Sequence, residues 1–499
     1  MGQQTKSLAD LGLTAQGGRE ALITGLSVDN RKISVGMLFA ALPGSNHHGA
    51  NFAHDALKAG AAAVLTDQAG ATICAEAVAA ADAALIVAQD PRQALAQTAS
   101  LWFGRHPDTA IAVTGTNGKT SVSTFCRQIW EELDIKGVNL GTTGVEGAWS
   151  YPLNHTTPEP ITLHRVLAQA KDHGVTHVAM EASSHGLDQR RLDGVVLTAA
   201  GFTNFTQDHL DYHETFDAYF EAKAGLFARV LGDDGVAVIN LDDPKGEDIS
   251  SICAGRGQEV IGVGRHPDAR LRITGQRFDA TGQDVLFSWQ GKPHQVRLNL
   301  IGGFQAENVL LAAGLVIAAG IDPAHVFEAL PHLGTVRGRM ELAATRGNGA
   351  TVFVDYAHTP DAVATALKAM RPHVMGRIVA IVGAGGDRDV GKRPLMGAAA
   401  AENADVVIIT DDNPRSEDPS SIRAAVMAGA LGCAGTRDVI EVGDRAEAIL
   451  RGIDSLSAGD ALLIAGKGHE SGQTIGDVTL PFDDVEQASV STAALEGKI

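Results

Sequence analysis

Aromatic residues make up only 5% of this 499-residue chain, and there are just four cysteines. Cys74, Cys126, Cys253 and Cys433 are scattered without metal-ligand spacing, which excludes a disulfide scaffold or a cysteine-held zinc. They read as small core residues in a reducing compartment. No apolar run is long enough to cross a bilayer, and Met1-Gly2-Gln3-Gln4-Thr5-Lys6 has no signal-peptide apolar region. Positive charge is in deficit. With 40 Lys and Arg against 59 Asp and Glu, the net charge is −19, which argues against nucleic acid or an anionic membrane as partner. Internal repeats and low-complexity segments are also missing. The expectation is a soluble, cytoplasmic, monomeric protein, too long for one core and therefore multidomain.

Glycine is abundant, with 57 residues, as in α/β proteins with tight strand-to-helix turns. The organising stretch is Val113-Thr114-Gly115-Thr116-Asn117-Gly118-Lys119-Thr120. The apolar run Ala110-Ile111-Ala112-Val113 predicts a buried strand before it, and Val122, Phe125, Ile129 and Trp130 predict a helix after it. A strand, a glycine loop and Lys-Thr opening a helix form the context of a phosphate-binding loop. Backbone N–H groups and the helix N-terminus would meet phosphate oxygens, Lys119 would neutralise them, and the Thr120 hydroxyl would ligate Mg²⁺. The pattern departs from the Walker form, because Val113 stands where its first glycine belongs. The competing reading is a plain glycine-rich turn with a surface lysine.

The first hundred residues predict a separate α/β unit, with strands at Met37–Leu42, Ala62–Thr66 and Ala84–Val87 and helices over Asn51–Leu57 and Pro91–Phe103. A linker follows at Gly104-Arg105-His106-Pro107-Asp108. Centrally, Val178–Glu181 predicts a strand delivering Glu181, and Val196–Phe202 another delivering Asn204, Thr206, Asp208 and His209. In open parallel sheets ligands bind beyond the carboxyl ends of strands, so these ends and the phosphate loop converge. Phe216, Phe220, Lys223 and Phe227 share one helical face. A lysine there either snorkels to solvent or is desolvated and chemically special. Beyond about residue 334 the pattern restarts. Four apolar runs deliver Asp355-Tyr356-Ala357-His358, Gly383–Asp389, Asp411-Asp412-Asn413-Pro414-Arg415 and Gly466-Lys467-Gly468-His469-Glu470, which predicts a Rossmann-like domain with a binding edge. The expected domains are 1–106, an N-terminal α/β domain; 107–335, a phosphate-loop domain with a mostly parallel sheet; and 336–499, the C-terminal Rossmann-like domain.

Together Gly115–Thr120, Glu181 with Ser183-Ser184-His185, Asn204 to His209, the Lys223 helix and Asp355–Pro360 resemble the Mur ligase family, in family order across all three domains. Within the family, Asp412-Asn413-Pro414-Arg415 resembles the signature of members that add meso-2,6-diaminopimelate. The resemblance implies an ATP- and Mg²⁺-dependent amide ligase of peptidoglycan precursor synthesis. ATP would phosphorylate the D-glutamate carboxylate of UDP-N-acetylmuramoyl-L-Ala-D-Glu, and the amine of meso-diaminopimelate would attack the acyl phosphate.

The roles it implies are these. Gly115, Thr116, Asn117, Gly118, Lys119 and Thr120, with Asn308 and Arg339, would bind ATP. Thr120 and Glu181 would hold one Mg²⁺, and His209 and Lys223 a second. Lys223 would be carbamylated to an anion (N6-carboxylysine), since an ammonium is a poor magnesium ligand. Asn30 and the Ser45-Asn46-His47 loop would hold the uridine end of the substrate, with Thr156, Thr157, Ser183, Gln189 and Arg191 on its muramoyl-dipeptide. Arg388, Asp412, Asn413, Pro414, Arg415, Gly466 and Glu470 would bind diaminopimelate, Arg415 gripping its distal carboxylate and Glu470 its ammonium. Arg339 and the Asp355–His358 turn would close on the nucleotide. The rivals are a lysine-adding member, a folylpolyglutamate-synthase-type ligase and a nucleotide-binding regulator without ligase activity.

Overall fold

The computed structural model describes residues 5–44, 46–206, 210–433 and 438–498. Ser45 and His209 lie outside them. The chain divides into two compact units, Met1–Leu271 with Leu310–Val326, and Arg272–Val309 with Phe327–Ile499.

The first unit opens with a four-stranded parallel sheet in the order Leu26–Ser27, Leu38–Ala40, Ala63–Thr66, Ala84–Val87. The helix Pro91–Phe103 follows, as predicted. Its start is set by Pro91 in the first turn and by the Asp90 carboxylate accepting from Arg92 N and Gln93 N, and its end by Gly104 at φ 63°. The next sheet of this unit runs Gly144–Gly147, Gly137–Gly141, His177–Glu181, Thr109–Thr114, Ala199–Phe202, Val236–Asn240, Glu259–Gly264. All pairs are parallel except the edge pair involving Gly144–Gly147. Its central strands are buried apart from Thr109 and His177 at their starts, as a sheet covered on both faces requires. The helix Lys119–Glu132 buries Val122, Phe125, Cys126, Ile129 and Trp130 at the three-to-four-residue spacing read from the sequence. Register aligns Glu181 with Val113 and Phe202 with Thr114, so the turns after these strands share one edge. Expected strands are shorter than their apolar runs: Met37–Leu42 pairs only over Leu38–Ala40, Ala62–Thr66 only from Ala63, and Val196–Phe202 loses its start. Pairing starts at Ala199, and Val196 is 73% exposed on the approach to it.

The second unit carries a six-stranded sheet in the order Glu341–Thr345, Thr351–Asp355, Ala461–Ala465, Ile378–Val382, Val406–Ile409, Asp438–Glu441. Only its first pair is antiparallel. Asp355 aligns with Ala465, and Val382 with Ile409, so the polar turns after all four predicted strands emerge at one edge. The strands Gly282–Trp289 and Lys292–Leu298 form an antiparallel pair in the same unit.

A titratable group lies inside the first unit's core. His164 on the helix Pro160–Asp172 is 4% exposed, and its Nε2 has no hydrogen-bond partner among the described residues. Burial, assisted by nearby His106, lowers its pKa from 6.5 to about 4. The folded state therefore holds it neutral where the unfolded chain would bind a proton. Its contribution to stability is present above pH 6.5 and is lost as pH falls toward 4. Between pH 7.5 and pH 5 this one group is expected to remove roughly 2 kcal/mol. Thermal midpoints at those pH values check this, and His164→Leu should flatten the dependence. A variant with the same pH slope as wild type would refute the assignment.

Candidate active site

The phosphate loop is built from its backbone upward. Gly115 has φ 145°, and a Cβ there would lie 1.8 Å from Thr203 Oγ1. Glycine is required for both reasons. Gly118 at φ 87° precedes the helix Lys119–Glu132. The loop is tied to the turn after Ala199–Phe202. Thr116 N donates to Asn204 O (2.9 Å), Asn117 N to Asn204 Oδ1 (2.9 Å), and Thr203 Oγ1 to Asn117 O (2.6 Å). The Lys119 ammonium donates to Gly115 O (2.9 Å) and Thr116 O (2.8 Å).

Glu181 stands at the next strand end and is buried, 1% exposed. It accepts from Thr120 Oγ1 (3.0 Å), Thr142 N (2.8 Å) and Thr142 Oγ1 (3.2 Å). Thr142 in turn meets Thr156 Oγ1 (3.1 Å). Sequence reasoning missed Thr142, although it follows the strand Gly137–Gly141 at the same sheet edge. Thr157 Oγ1 donates to Glu181 O (2.8 Å) and accepts from Ser183 N and Ser183 Oγ, both at 3.0 Å. Arg191 donates to Thr157 O (2.5 Å) and Gln189 Oε1 (2.8 Å). Thr120, Thr156, Thr157, Ser183, Gln189 and Arg191 are thus brought together around Glu181.

Lys223 does not snorkel. It is 1% exposed, donates to Gly115 O (2.7 Å) and lies 4.5 Å from the centroid of the Tyr219 ring. The expected stripe is corrected at its first position. Phe216 is 42% exposed, and the buried aromatic one turn before Lys223 is Tyr219, whose hydroxyl meets Thr116 Oγ1 at 3.2 Å. Steps of seven and of four residues both return to the face of Lys223, so Phe216 and Tyr219 are separated only by packing.

The oxygens of Thr120 and Glu181 suit Mg²⁺, a hard cation that takes carboxylate and hydroxyl ligands. No ammonium or guanidinium hydrogen-bonds to the Glu181 carboxylate among the described residues. Groups of three or more His, Cys, Asp or Glu that could hold a metal are absent among the described residues.

The proposed uridine contacts are placed but not joined to this set. Asn30 opens a short 3₁₀ turn, and Asn46 and His47 are exposed in the loop before His48. Two guanidiniums missed in the sequence line a pocket of about 570 Å³ beside that loop. Arg92 donates to Pro43 O (2.5 Å), and Arg190 pairs with Asp90 (2.9 Å).

In the second unit the strand-end turns form a second polar cluster. Asn413 Oδ1 accepts from Thr474 N (2.9 Å) and Lys467 Nζ (3.0 Å), and its Nδ2 donates to Glu470 Oε2 (3.0 Å). Arg415, at φ 51°, donates from Nη1 to Gly386 O (2.7 Å). Gly466, at φ 114°, leaves room for Asp412, whose Oδ2 a Cβ would approach to 2.6 Å. Gly386 likewise admits Pro414 O, which would lie 1.9 Å from a Cβ. Arg388 is exposed near Asp387 and Tyr356. Beneath them Arg445, wholly buried, pairs with Asp484 (2.8 and 2.7 Å) and donates to Ala465 O (3.0 Å) and Asp411 O (3.3 Å). On the neighbouring turn Arg339 lies 4.5 Å from the Tyr356 ring centroid. Burial raises the Asp355 carboxyl, opposed by Arg339 and by N–H groups of Met340 and Ala357. Burial also lowers His469 to about 4. Asn308 is buried and donates to Gln305 Oε1 (3.2 Å).

The chain matches the Mur ligase family's catalytic-domain description over residues 22–102, the Mur ligase middle domain over 113–316, and the Mur ligase glutamate ligase domain over 338–468. It is 45% identical to the UDP-N-acetylmuramoyl-L-alanyl-D-glutamate–2,6-diaminopimelate ligase of Caulobacter vibrioides over 99% of both chains, and 48% identical to that of Bradyrhizobium diazoefficiens over 95% of both. A solved structure of a ligase of that name covers 99% of this chain and 100% of its own at 34% identity, with a TM-score of 0.72. The folylpolyglutamate synthase of Mycobacterium tuberculosis, complexed with ADP, covers 81% of this chain and 94% of its own at 19% identity, TM-score 0.62, a likeness of fold alone.

Proposed function

This chain belongs to the Mur ligase family, and from that premise we propose that it is the ATP-dependent ligase that joins meso-2,6-diaminopimelate to the D-glutamate of UDP-N-acetylmuramoyl-L-Ala-D-Glu. The observation that carries the reading is the buried Glu181 carboxylate bonded to Thr120 at the phosphate loop, in a chain 45% identical end to end with a ligase of that name. The domain limits proposed for this activity are residues 1–106, 107–335 and 336–499. No described helix is long and apolar enough to cross a membrane.

The chemistry is positioning and charge neutralisation. The Gly115–Thr120 loop holds the ATP phosphates, with Lys119 exchanging its carbonyl partners for phosphate oxygens. Thr120 and Glu181 would hold Mg²⁺, which would supply charge neutralisation at the phosphates. Lys223, once its neutral amine has added CO₂ and lost a proton to become a carbamate, would with His209 hold a second Mg²⁺. Thr156, Thr157, Ser183, Gln189 and Arg191 orient the D-glutamate carboxylate for phosphorylation, and Asn30, Ser45, Asn46 and His47 hold the nucleotide end. In the C-terminal region Arg415 and Arg388 would take the carboxylates of diaminopimelate, while Asp412, Asn413 and Glu470 would orient its ammonium groups.

The test is phosphate release from ATP with UDP-N-acetylmuramoyl-L-Ala-D-Glu, with meso-diaminopimelate or L-lysine added in parallel. Release together with a new UDP-tripeptide is expected with diaminopimelate only. Comparable turnover of lysine would replace the amino-acid assignment. Absence of turnover with both, in protein that binds ATP, would favour the folate-type or regulator reading.

A further inference from the structure

Lys467 is 0% exposed, and nothing in the proposed reaction uses it. It follows the strand Ala461–Ala465, in the turn that also carries Glu470. Its ammonium donates to Asn413 Oδ1 (3.0 Å) and Glu470 Oε2 (3.4 Å). An ammonium taken wholly out of water is costly unless it is paired, so these bonds are a demanding use of a lysine. They also resolve an ambiguity. An asparagine amide can face either way, but with Lys467 and Thr474 N–H both donating to Oδ1, Asn413 must turn its Nδ2 toward Glu470, where it donates to Oε2 (3.0 Å). Both donors reach the same Glu470 oxygen. Oε1 accepts no hydrogen bond among the described residues, and the side chain is 35% exposed, so the carboxylate has one oxygen anchored and one presented.

We propose that Lys467 is a positioning residue for the amino-acid substrate, holding Asn413 and Glu470 so that Glu470 presents one carboxylate oxygen to a substrate ammonium. The inference rests on the diaminopimelate reading of this cluster. Without the ammonium, Asn413 loses one of two donors fixing its amide and Glu470 loses its anchoring charge. The cost falls on binding of the amino acid and not on the phosphate loop.

Lys467→Met keeps length and apolar volume while removing the charge, and Lys467→Gln restores one donor. For Lys467→Met the KM for meso-diaminopimelate is expected to rise roughly 10- to 100-fold, with KM for ATP within about twofold of wild type. Lys467→Gln should fall between. In a Glu470→Gln background the same Lys467→Met change should cost much less, because the residue acts through Glu470. An unchanged KM for diaminopimelate, an equal rise in the KM for ATP, or full additivity with Glu470→Gln would overturn the proposal. So would failure of both variants to fold, which would make Lys467 a residue of the fold only. The wild-type control separates the two readings. Lack of turnover of diaminopimelate by the wild type refutes the ligase assignment, whereas wild-type turnover with unaltered variants refutes the role of Lys467 alone.

Discussion

Glu181→Gln is expected to lower kcat for ATP-dependent ligation by about 10³-fold, with the thermal midpoint almost unmoved. The wild-type carboxylate is buried and accepts from Thr142 N, Thr142 Oγ1 and Thr120 Oγ1. A glutamine of the same shape keeps an oxygen for Thr142 N–H, and its amide can donate to hydroxyls, which accept as readily as they donate. Packing therefore survives while the negative charge proposed to hold Mg²⁺ beside the phosphates does not. Steady-state ADP release and calorimetry on the same sample decide it. A loss below tenfold would remove Glu181 from the proposed chemistry. Collapse of the fold would show that the charge serves structure instead.

The second large effect concerns choice of amino acid. Arg415→Ala is expected to lower kcat/KM for meso-diaminopimelate by about 10³-fold while changing that for L-lysine little, so that the preference between them collapses. The arginine is anchored for such a task. Its backbone N–H donates to Thr474 O (3.1 Å), its carbonyl accepts from Gly476 N (2.7 Å), and one guanidinium nitrogen donates to Gly386 O (2.7 Å). It holds φ 51°, a region costly for a residue with a Cβ. A side chain fixed at this cost presents its remaining donors in a set direction, suited to a planar carboxylate that lysine lacks. Competition assays with both amino acids read the ratio directly. An unchanged ratio would move selectivity elsewhere in the cluster.

What could be read in advance follows from how far each signal reaches along the chain. The strands Ala84–Val87 and Ile378–Val382 and the helix Pro91–Phe103 were visible because apolar runs and a Pro after Asp are local. Glu181 and Asp412 to Arg415 were visible because a parallel sheet gathers its strand-end turns, whatever their distance in sequence. Thr142, Arg92 and Lys467 were not singled out. Their importance lies in partners 39, 49 and 54 residues away, which no spacing announces. Helical periodicity placed Lys223 on an apolar face without deciding whether it snorkels, and it counted Phe216 and not the buried Tyr219 on that face. His209 and Ser45 lie outside the described residues, so their proposed roles rest on the family resemblance.

The buried Arg445–Asp484 pair bears on which sequence changes this chain tolerates. Asp484 opens the helix Asp484–Leu495, which carries none of the proposed substrate residues, while its guanidinium partner donates to Asp411 O and Ala465 O beneath the proposed amino-acid cluster. Asp484→Ala would leave the helix in place yet strand a desolvated cation under Asp412 and Gly466 at a cost of about 3–5 kcal/mol. A substitution outside the proposed binding turns is thus expected to be felt there first, as a raised KM for the amino acid with the KM for ATP unchanged.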